Sequence, residues 1–297
     1  MASFFDEIHR NKLKSILLML AFGAIFGGIV FLFVYLLGGG PIAFGAGIAI
    51  IVLYAFVSYQ YGSALVLKMS RAQIADKKQY PQLYNIVEGL AMASQIKMPD
   101  VYVINDPNPN AFATGKNKNH ASIAVTTGLL SMMSKNELEG VIAHEMSHIY
   151  NNDIQFMLFA VVFAGVIGLM SAVLRNLFFF GFGEERGNGG ILVLVGIVLG
   201  LLAPLFALLL RLAISRRREY MADANGARII REPEYLASAL KKIQQYEKKP
   251  NATPVKNANE MTASLYFANP FTVRSIMNLF STHPPIEDRI KRLESMY

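Results

Sequence analysis

Residues 141–154 read Val141-Ile142-Ala143-His144-Glu145-Met146-Ser147-His148-Ile149-Tyr150-Asn151-Asn152-Asp153-Ile154. On a helix, the pattern H-E-x-x-H sets His144 and His148 one turn apart on one face. There they can share a Zn²⁺, with Glu145 beside them as a base. Ser134 followed by Glu137 is a capping box and marks where this helix starts. At Ile154 an uninterrupted apolar run begins, which places the motif at a membrane surface. No proline or glycine interrupts Val141 to Gly165, so the helix is expected to continue toward, or into, that run.

The 297 residues are 53% hydrophobic, with a mean hydropathy of +0.35. Four charge-free runs, near 15–37, 41–62, 154–174 and 191–210, each reach the roughly 20 residues that a membrane-crossing helix needs. Buried helices of a soluble core rarely run so long without charge. The organisation expected is a transmembrane hairpin over 1–67, a first polar segment with the H-E-x-x-H over 68–153, a second hairpin over 154–214, and a second polar segment over 215–297. The two polar segments together have the size of one domain. Cysteine is absent, which excludes disulfides and thiolate metal ligands.

Charge sets the orientation. Arg10, Lys12 and Lys14 precede the first run, and Lys68, Arg71, Lys77 and Lys78 follow the second. Arg211, Arg216, Arg217 and Arg218 follow the fourth, while the turn at Gly38 to Pro41 carries no charge. By the positive-inside rule both termini and both polar segments lie in the cytoplasm. The first run has no small-x-small cleavage site and reads as a retained signal anchor. The net charge of +7 fits a face held against anionic lipid. Because the cations sit at span ends, no nucleic-acid partner is expected.

Within the first polar segment, Gln73–Ala93 reads as an amphipathic helix, with Leu83, Ile86, Val87 and Leu90 at helical spacing. Asp100–Ile104 reads as a strand, and Asn110–Thr114 with Ser122–Thr127 as a hairpin around the polar turn Gly115–His120. In the second segment 216–228, 234–246 and 285–296 read as helices, and Lys248–Glu260 as a loop.

A catalytic zinc takes three protein ligands and keeps a fourth position for water. His120, Asp153, Glu219, Asp223 and His283 are the candidates for the third ligand. Spacing favours Glu219, eight residues past Arg211 on a helix leaving the membrane on the same side as His148. At 1.5 Å per residue both ligand sets stand about 10 Å from their spans and can meet at one height. Asp223, one turn after Glu219, could accept the free N–H of a ligating histidine. On spacing alone His120 reads as exposed, His283 as a loop residue, Asn110 as a turn residue, and Arg217 and Arg218 as anchors at the lipid surface, with a contact from one of them to Asp223 or substrate as the alternative.

His144-Glu145-Met146-Ser147-His148 followed by Glu219-Tyr220-Met221-Ala222-Asp223 resembles the gluzincin pattern, H-E-x-x-H with a distal E-x-x-x-D. One apolar hairpin before the motif and one between its halves resemble the layout of the HtpX family of membrane metallopeptidases, relatives of the CAAX prenyl proteases of type 1. Phe280-Ser281-Thr282-His283-Pro284-Pro285 and Asn110-Ala111-Phe112-Ala113 match family motifs as well, and the resemblance covers essentially the whole chain. It implies a mainly α membrane protein, with four transmembrane helices and a cytoplasmic α+β zincin-like metallopeptidase domain around a small sheet. It implies one Zn²⁺ per subunit on His144, His148 and Glu219, Glu145 as general base and acid, and Asp223 supporting a ligand. It further implies His283 near the reacting carbonyl and Asn110, Ala111, Phe112 and Ala113 as an edge strand for substrate backbone. Zinc would polarise the carbonyl and lower the pKa of its water, and a donor such as His283 would steady the oxyanion.

The activity implied is zinc endopeptidase action on cytoplasmic parts of misfolded or damaged membrane proteins and on unfolded polypeptides. It would serve quality control and stress response in a prokaryotic cytoplasmic (inner) membrane. A site-2-type intramembrane protease would bury its motif in a span, whereas here Lys135, Glu137, Glu139 and Asn151–Asp153 flank it. A transporter or scaffold with a structural zinc would carry ionisable groups in its spans, and these have almost none beyond Tyr, Ser and Gln60. Oligomeric state and cleavage preference are not legible from the residues.

Overall fold

The computed structural model describes residues 40–155, 216–249, 255–256, 265–268 and 284–296, together with positions 24, 27–28, 31 and 158. The chain divides into two compact units, residues 1–60 with 162–209 and residues 61–161 with 210–297. Of the four apolar runs, only that at 41–62 is described in full. The runs near 15–37 and 154–174 lie largely outside the described residues, and that near 191–210 entirely so.

Helix α1, Pro41–Met69, has 29 residues. Among the described residues it contains the one helix, Phe44–Met69, long and apolar enough to cross a membrane. Ile42, Ile50, Leu53, Phe56, Tyr61 and Leu65 along it are each more than half exposed. Such a surface is unfavourable in water and suited to hydrocarbon. Lys68 closes the last turn, where a cation favours the helix dipole. Val66 and Leu67 near that end are buried with Ile104, Phe112, Ala124, Leu265 and Tyr266.

The second unit is built on a four-stranded mixed sheet of β1 (Gln73–Ile74), β2 (Asp100–Ile104), β3 (Ala111–Asn117) and β4 (His120–Thr126), in the order β1-β2-β4-β3. β2 and β4 run parallel, with Val101 opposite Ile123. β3 and β4 form the expected antiparallel hairpin, with Ala113 opposite Ile123. The helix expected from Gln73 instead starts at Pro81 (α2, Pro81–Ala93), while Gln73 and Ile74 pair with Val103 and Tyr102. Proline explains the boundary, since its fixed φ and missing N–H fit the first helical position and few others.

A short helix α3 (Thr127–Met132), capped by the Thr126 side chain, leads to α4 (Lys135–Tyr150). The capping box forms as expected, with Ser134 N–H donating to Glu137 Oε2 at 2.7 Å and Glu137 N–H to Ser134 Oγ at 3.4 Å. From Gly140 to Ile149 every residue of α4 is buried, so the helix runs through the middle of the unit rather than along a surface. It packs against α2, β3, α5 (Arg216–Ile230) and α6 (Pro233–Glu247). The last helix, α7 (Ile286–Glu294), lies on α5 and α6.

α4 does not run on toward Ile154 as expected. It stops at Tyr150, and Asn152 takes a left-handed φ of 59°. Asparagine tolerates that conformation better than most residues, so it can end a helix without glycine or proline. The turn that results folds Asp153 back toward α4, with consequences for the site.

Candidate active site

α5 crosses α4 at very short range. A Cβ built on Gly226 would lie 3.0 Å from His144 N and 3.2 Å from His144 Cα, closer than ordinary contact. Glu219 and Asp223 precede Gly226 by seven and three residues, so all three share one helix face. The close approach at Gly226 therefore brings both carboxylates over the histidines of α4.

His144 Nε2 and His148 Nε2 are 3.2 Å apart. Glu219 Oε2 lies 3.8 Å from the first, and Glu219 Oε1 3.5 Å from the second. One ligand atom from each of the three residues falls within 4.8 Å of the other two. Each imidazole is also held from behind. His144 Nδ1 is 2.9 Å from Asp223 Oδ1, and His148 Nδ1 is 3.1 Å from Asp153 Oδ2. Carboxylates accept, so both Nδ1 atoms carry a proton, and in their neutral, ligating form both imidazoles turn Nε2 lone pairs toward the same point.

Two such nitrogens at 3.2 Å hold together only with a proton or a cation between them. Bonds of about 2.0–2.1 Å in tetrahedral array separate ligand atoms by about 3.3 Å, close to the spacings found. Charge points the same way. Glu145, Asp153, Glu219 and Asp223 are buried, and the cations among the described residues facing them are Arg218 and Arg289. Among the described residues, four carboxylates against two guanidiniums leave a dry region that a further cation, a divalent ion or a protonated His148, would help to neutralise. The donor set therefore fits a metal.

The local field is uneven. Burial and the Arg289 guanidinium hold His144 down to about 4. Burial also opposes a charge on His148, but the hydrogen bond to Asp153 and the nearby Glu219 outweigh it and raise that histidine to about 9. Asp223, although buried, stays below the usual carboxylate range because Arg289 and His144 favour its ionised form.

Of the five candidates for a third ligand, the structure brings Glu219 to both histidines. Asp153 and Asp223 lie behind the imidazoles, as partners of His148 and His144. His120 is exposed and bonded to Asn117 Oδ1. His283 lies outside the described residues. Arg218, read as a lipid anchor, instead turns inward, 3.8 Å from Asp153.

Ala111–Ala113 open the edge strand β3, with Asn110 just before it, but that edge is not bare. Phe267 N–H donates to Ala111 O at 2.8 Å, and Phe112 forms an antiparallel bridge with Tyr266. The Asn110 amide donates to Ala268 O at 3.0 Å and accepts from Ala268 N–H at 3.2 Å. Sequence reasoning missed two neighbours of the site, Phe267, whose ring meets that of His144 at 5.0 Å, and Arg289. An arginine between Ile286 and Ile290 on the apolar stripe of α7 was the available signal for the second.

Peptidase family M48 matches residues 77–297 of the chain. The chain is 44% identical to the protease HtpX homolog of Caldanaerobacter subterraneus subsp. tengcongensis, over 97% of this chain and 96% of that one. It is 40% identical to the homolog from Dictyoglomus turgidum, over 99% and 95%. It is also 40% identical to that of Ligilactobacillus salivarius, over 98% and 99%. The crystal structure of S. mikatae Ste24p aligns with a TM-score of 0.51 and 19% identity, over 96% of this chain and 66% of that one, and so shares the fold. By the match to its 77–297 region and by relatives that run along nearly its whole length, the chain belongs to peptidase family M48, as a metallopeptidase of the HtpX type.

Proposed function

We propose that the chain is an integral membrane zinc endopeptidase that cleaves cytoplasmic regions of misfolded or damaged membrane proteins, as part of quality control in a prokaryotic cytoplasmic membrane. The observation that carries this reading is the pair of Nε2 atoms 3.2 Å apart, each aimed by a carboxylate on its Nδ1 and joined by Glu219. All-nitrogen and oxygen donors in that number suit zinc. The exposed apolar length of α1 supports the membrane location.

His144, His148 and Glu219 would hold the ion. Zinc bound there would polarise the scissile carbonyl and acidify the attacking water. Glu145 follows His144 on α4 and stands outside the ligand set, where it would take a proton from that water and return it to the leaving nitrogen. Asp153 and Asp223 keep the imidazoles in the ligating tautomer. A peptide pairing with β3 would use its outer edge beyond the Phe112–Tyr266 bridge, because Asn110 and Ala111 already bond to residues 267–268. His283 as oxyanion donor rests on the resemblance alone.

Glu145→Gln should retain zinc and lose cleavage of casein in detergent; a variant that cuts at the wild-type rate removes the mechanism. Glu219→Ala should lower zinc content, and unchanged stoichiometry by elemental analysis would move the third ligand elsewhere. Reporter fusions within 248–260 should be cytoplasmic, and an external signal there reverses the topology.

A further inference from the structure

Arg289 is 2% exposed, an unusual position for an arginine, on the face of α7 that also buries Ile290 and Leu293. Its fork grips Asp223 with two bonds, Nε to Oδ2 at 2.9 Å and Nη2 to Oδ1 at 2.7 Å. Nη1 donates to Phe267 O at 3.3 Å and lies 4.0 Å from Glu219 Oε2. The guanidinium also sits over the Phe267 ring, 4.9 Å from its centroid. Asp223 Oδ1 thus receives both Arg289 Nη2 and His144 Nδ1, and the 3.3 Å approach of Nη2 to Nδ1 follows from that shared acceptor.

A carboxylate on a helix has its own rotamer freedom, and one hydrogen bond from an imidazole leaves it free to swing. Two parallel bonds from a planar guanidinium remove that freedom. The guanidinium is itself fixed by the Phe267 carbonyl and ring, on a segment that pairs with β3. The chain of support runs from the sheet edge through Arg289 and Asp223 to the orientation of His144. We infer that Arg289 is a positioning residue for the metal site, clamping Asp223 so that His144 presents its Nε2 to the ion. This rests on the proposed metal site and extends it to α7.

Zinc affinity of the full chain in detergent, measured by competition with a chromophoric chelator, tests the inference. Arg289→Met should weaken zinc binding about 10- to 100-fold, the range for lost support of a ligating histidine. At saturating Co²⁺ its visible absorption bands should shift, because the ligand geometry changes. An arginine that only fills the core would lower the unfolding temperature of the metal-free protein and leave both readouts unchanged. If Arg289 acts through Asp223, Arg289→Met combined with Asp223→Asn should lose no more affinity than the weaker-binding single variant. Wild-type affinity in Arg289→Met, or additive losses in the double variant, overturns the inference. Should Arg289→Met not fold, Arg289→Lys carries the test. A lysine cannot span both carboxylate oxygens, so a loss of several-fold is expected and wild-type affinity refutes. A wild-type protein that binds no zinc instead refutes the metal site itself, and the inference with it.

Discussion

Gly226→Ala adds one methyl group at the point where α5 rests on the backbone of α4. The new Cβ would stand 3.0 Å from His144 N, 3.2 Å from Ala143 C and 3.2 Å from His144 Cα, and backbone atoms of a buried helix cannot swing aside. Relief to a contact of about 3.5 Å requires the two helices to separate locally by about 0.3–0.5 Å. Alanine gains about 1 kcal/mol of helix propensity over glycine, while overpacking costs about 1–3 kcal/mol, so net stability should fall by about 0–2 kcal/mol. The metal site is less forgiving. Ligand distances tolerate about 0.2 Å, and Glu219 shares the displaced face two turns away, so zinc affinity should drop by about tenfold or more. Gly140→Ala supplies the control, since its Cβ would lie 2.6 Å from Leu236 N on α6, which carries no residue of the site. Its tighter clash puts overpacking near the upper end of about 1–3 kcal/mol, so after the same propensity gain that variant should lose about 2 kcal/mol of stability and bind zinc normally once folded. Unfolding by circular dichroism and chelator competition give the two quantities for each variant. Wild-type zinc affinity in Gly226→Ala, or an equal loss in Gly140→Ala, would refute the claim that helix spacing at residue 226 sets the ligand geometry.

Asp153→Ala should weaken zinc binding about 10- to 100-fold by freeing His148, and an unchanged dissociation constant would show that its contact is incidental. Glu137, which caps α4 and bonds to Lys242 and Ser238, is held down to about 2; its burial acts against this, but those partners and the Ser134 backbone prevail. A folded value below the unfolded one means that its contribution is complete above about pH 4.5 and fades as pH falls toward 2. Glu137→Gln should therefore lower the unfolding temperature at pH 7 and differ progressively less from wild type below pH 4.5; a constant gap down to pH 3 contradicts this. Chelation of the metal should lower the unfolding temperature, because an ion at 100 times its dissociation constant contributes about 2.7 kcal/mol to the folded state. Identical melting with and without EDTA would count against a bound ion.

Legibility from sequence followed the range of the interactions involved. The capping box at Ser134 and Glu137 depends on neighbours within a few residues and forms as expected, and the strand at Asp100–Ile104 matches its expected bounds. The hairpin forms too, but its strands run on through Asn117 and from His120, so that its turn is shorter than the expected Gly115–His120. The Gln73–Ala93 helix was read too long because apolar spacing continues past the point where Pro81 fixes the start. The break after Tyr150 was missed because an asparagine, not a glycine, takes the left-handed turn. At the site, spacing within one helix paired His144 with His148 and Glu219 with Asp223. What spacing along the chain could not supply was the partner on another element: Asp153 folded back by that turn, Phe267 on the sheet edge, and Arg289 from the last helix. Each reaches the site through tertiary packing that no local pattern encodes.

Two imidazoles one turn apart on the same buried helix are displaced in opposite directions, and the cause lies in what stands behind and beside each. Asp223 behind His144 is already neutralised by the Arg289 fork, so little of its charge is left to favour an imidazolium there. Asp153 behind His148 has Arg218 only at 3.8 Å, and Glu219 and Glu145 add their fields from the other side. Among the described residues, the carboxylate behind His148 is thus less neutralised than the one behind His144. His148 would meet a bound cation with the stronger field behind it, while the orientation of His144 depends on a clamp. Both carboxylates aim an imidazole, but the field behind His148 is stronger than the field behind His144. That difference separates Asp153 from Asp223, two carboxylates with the same formal contact to a histidine.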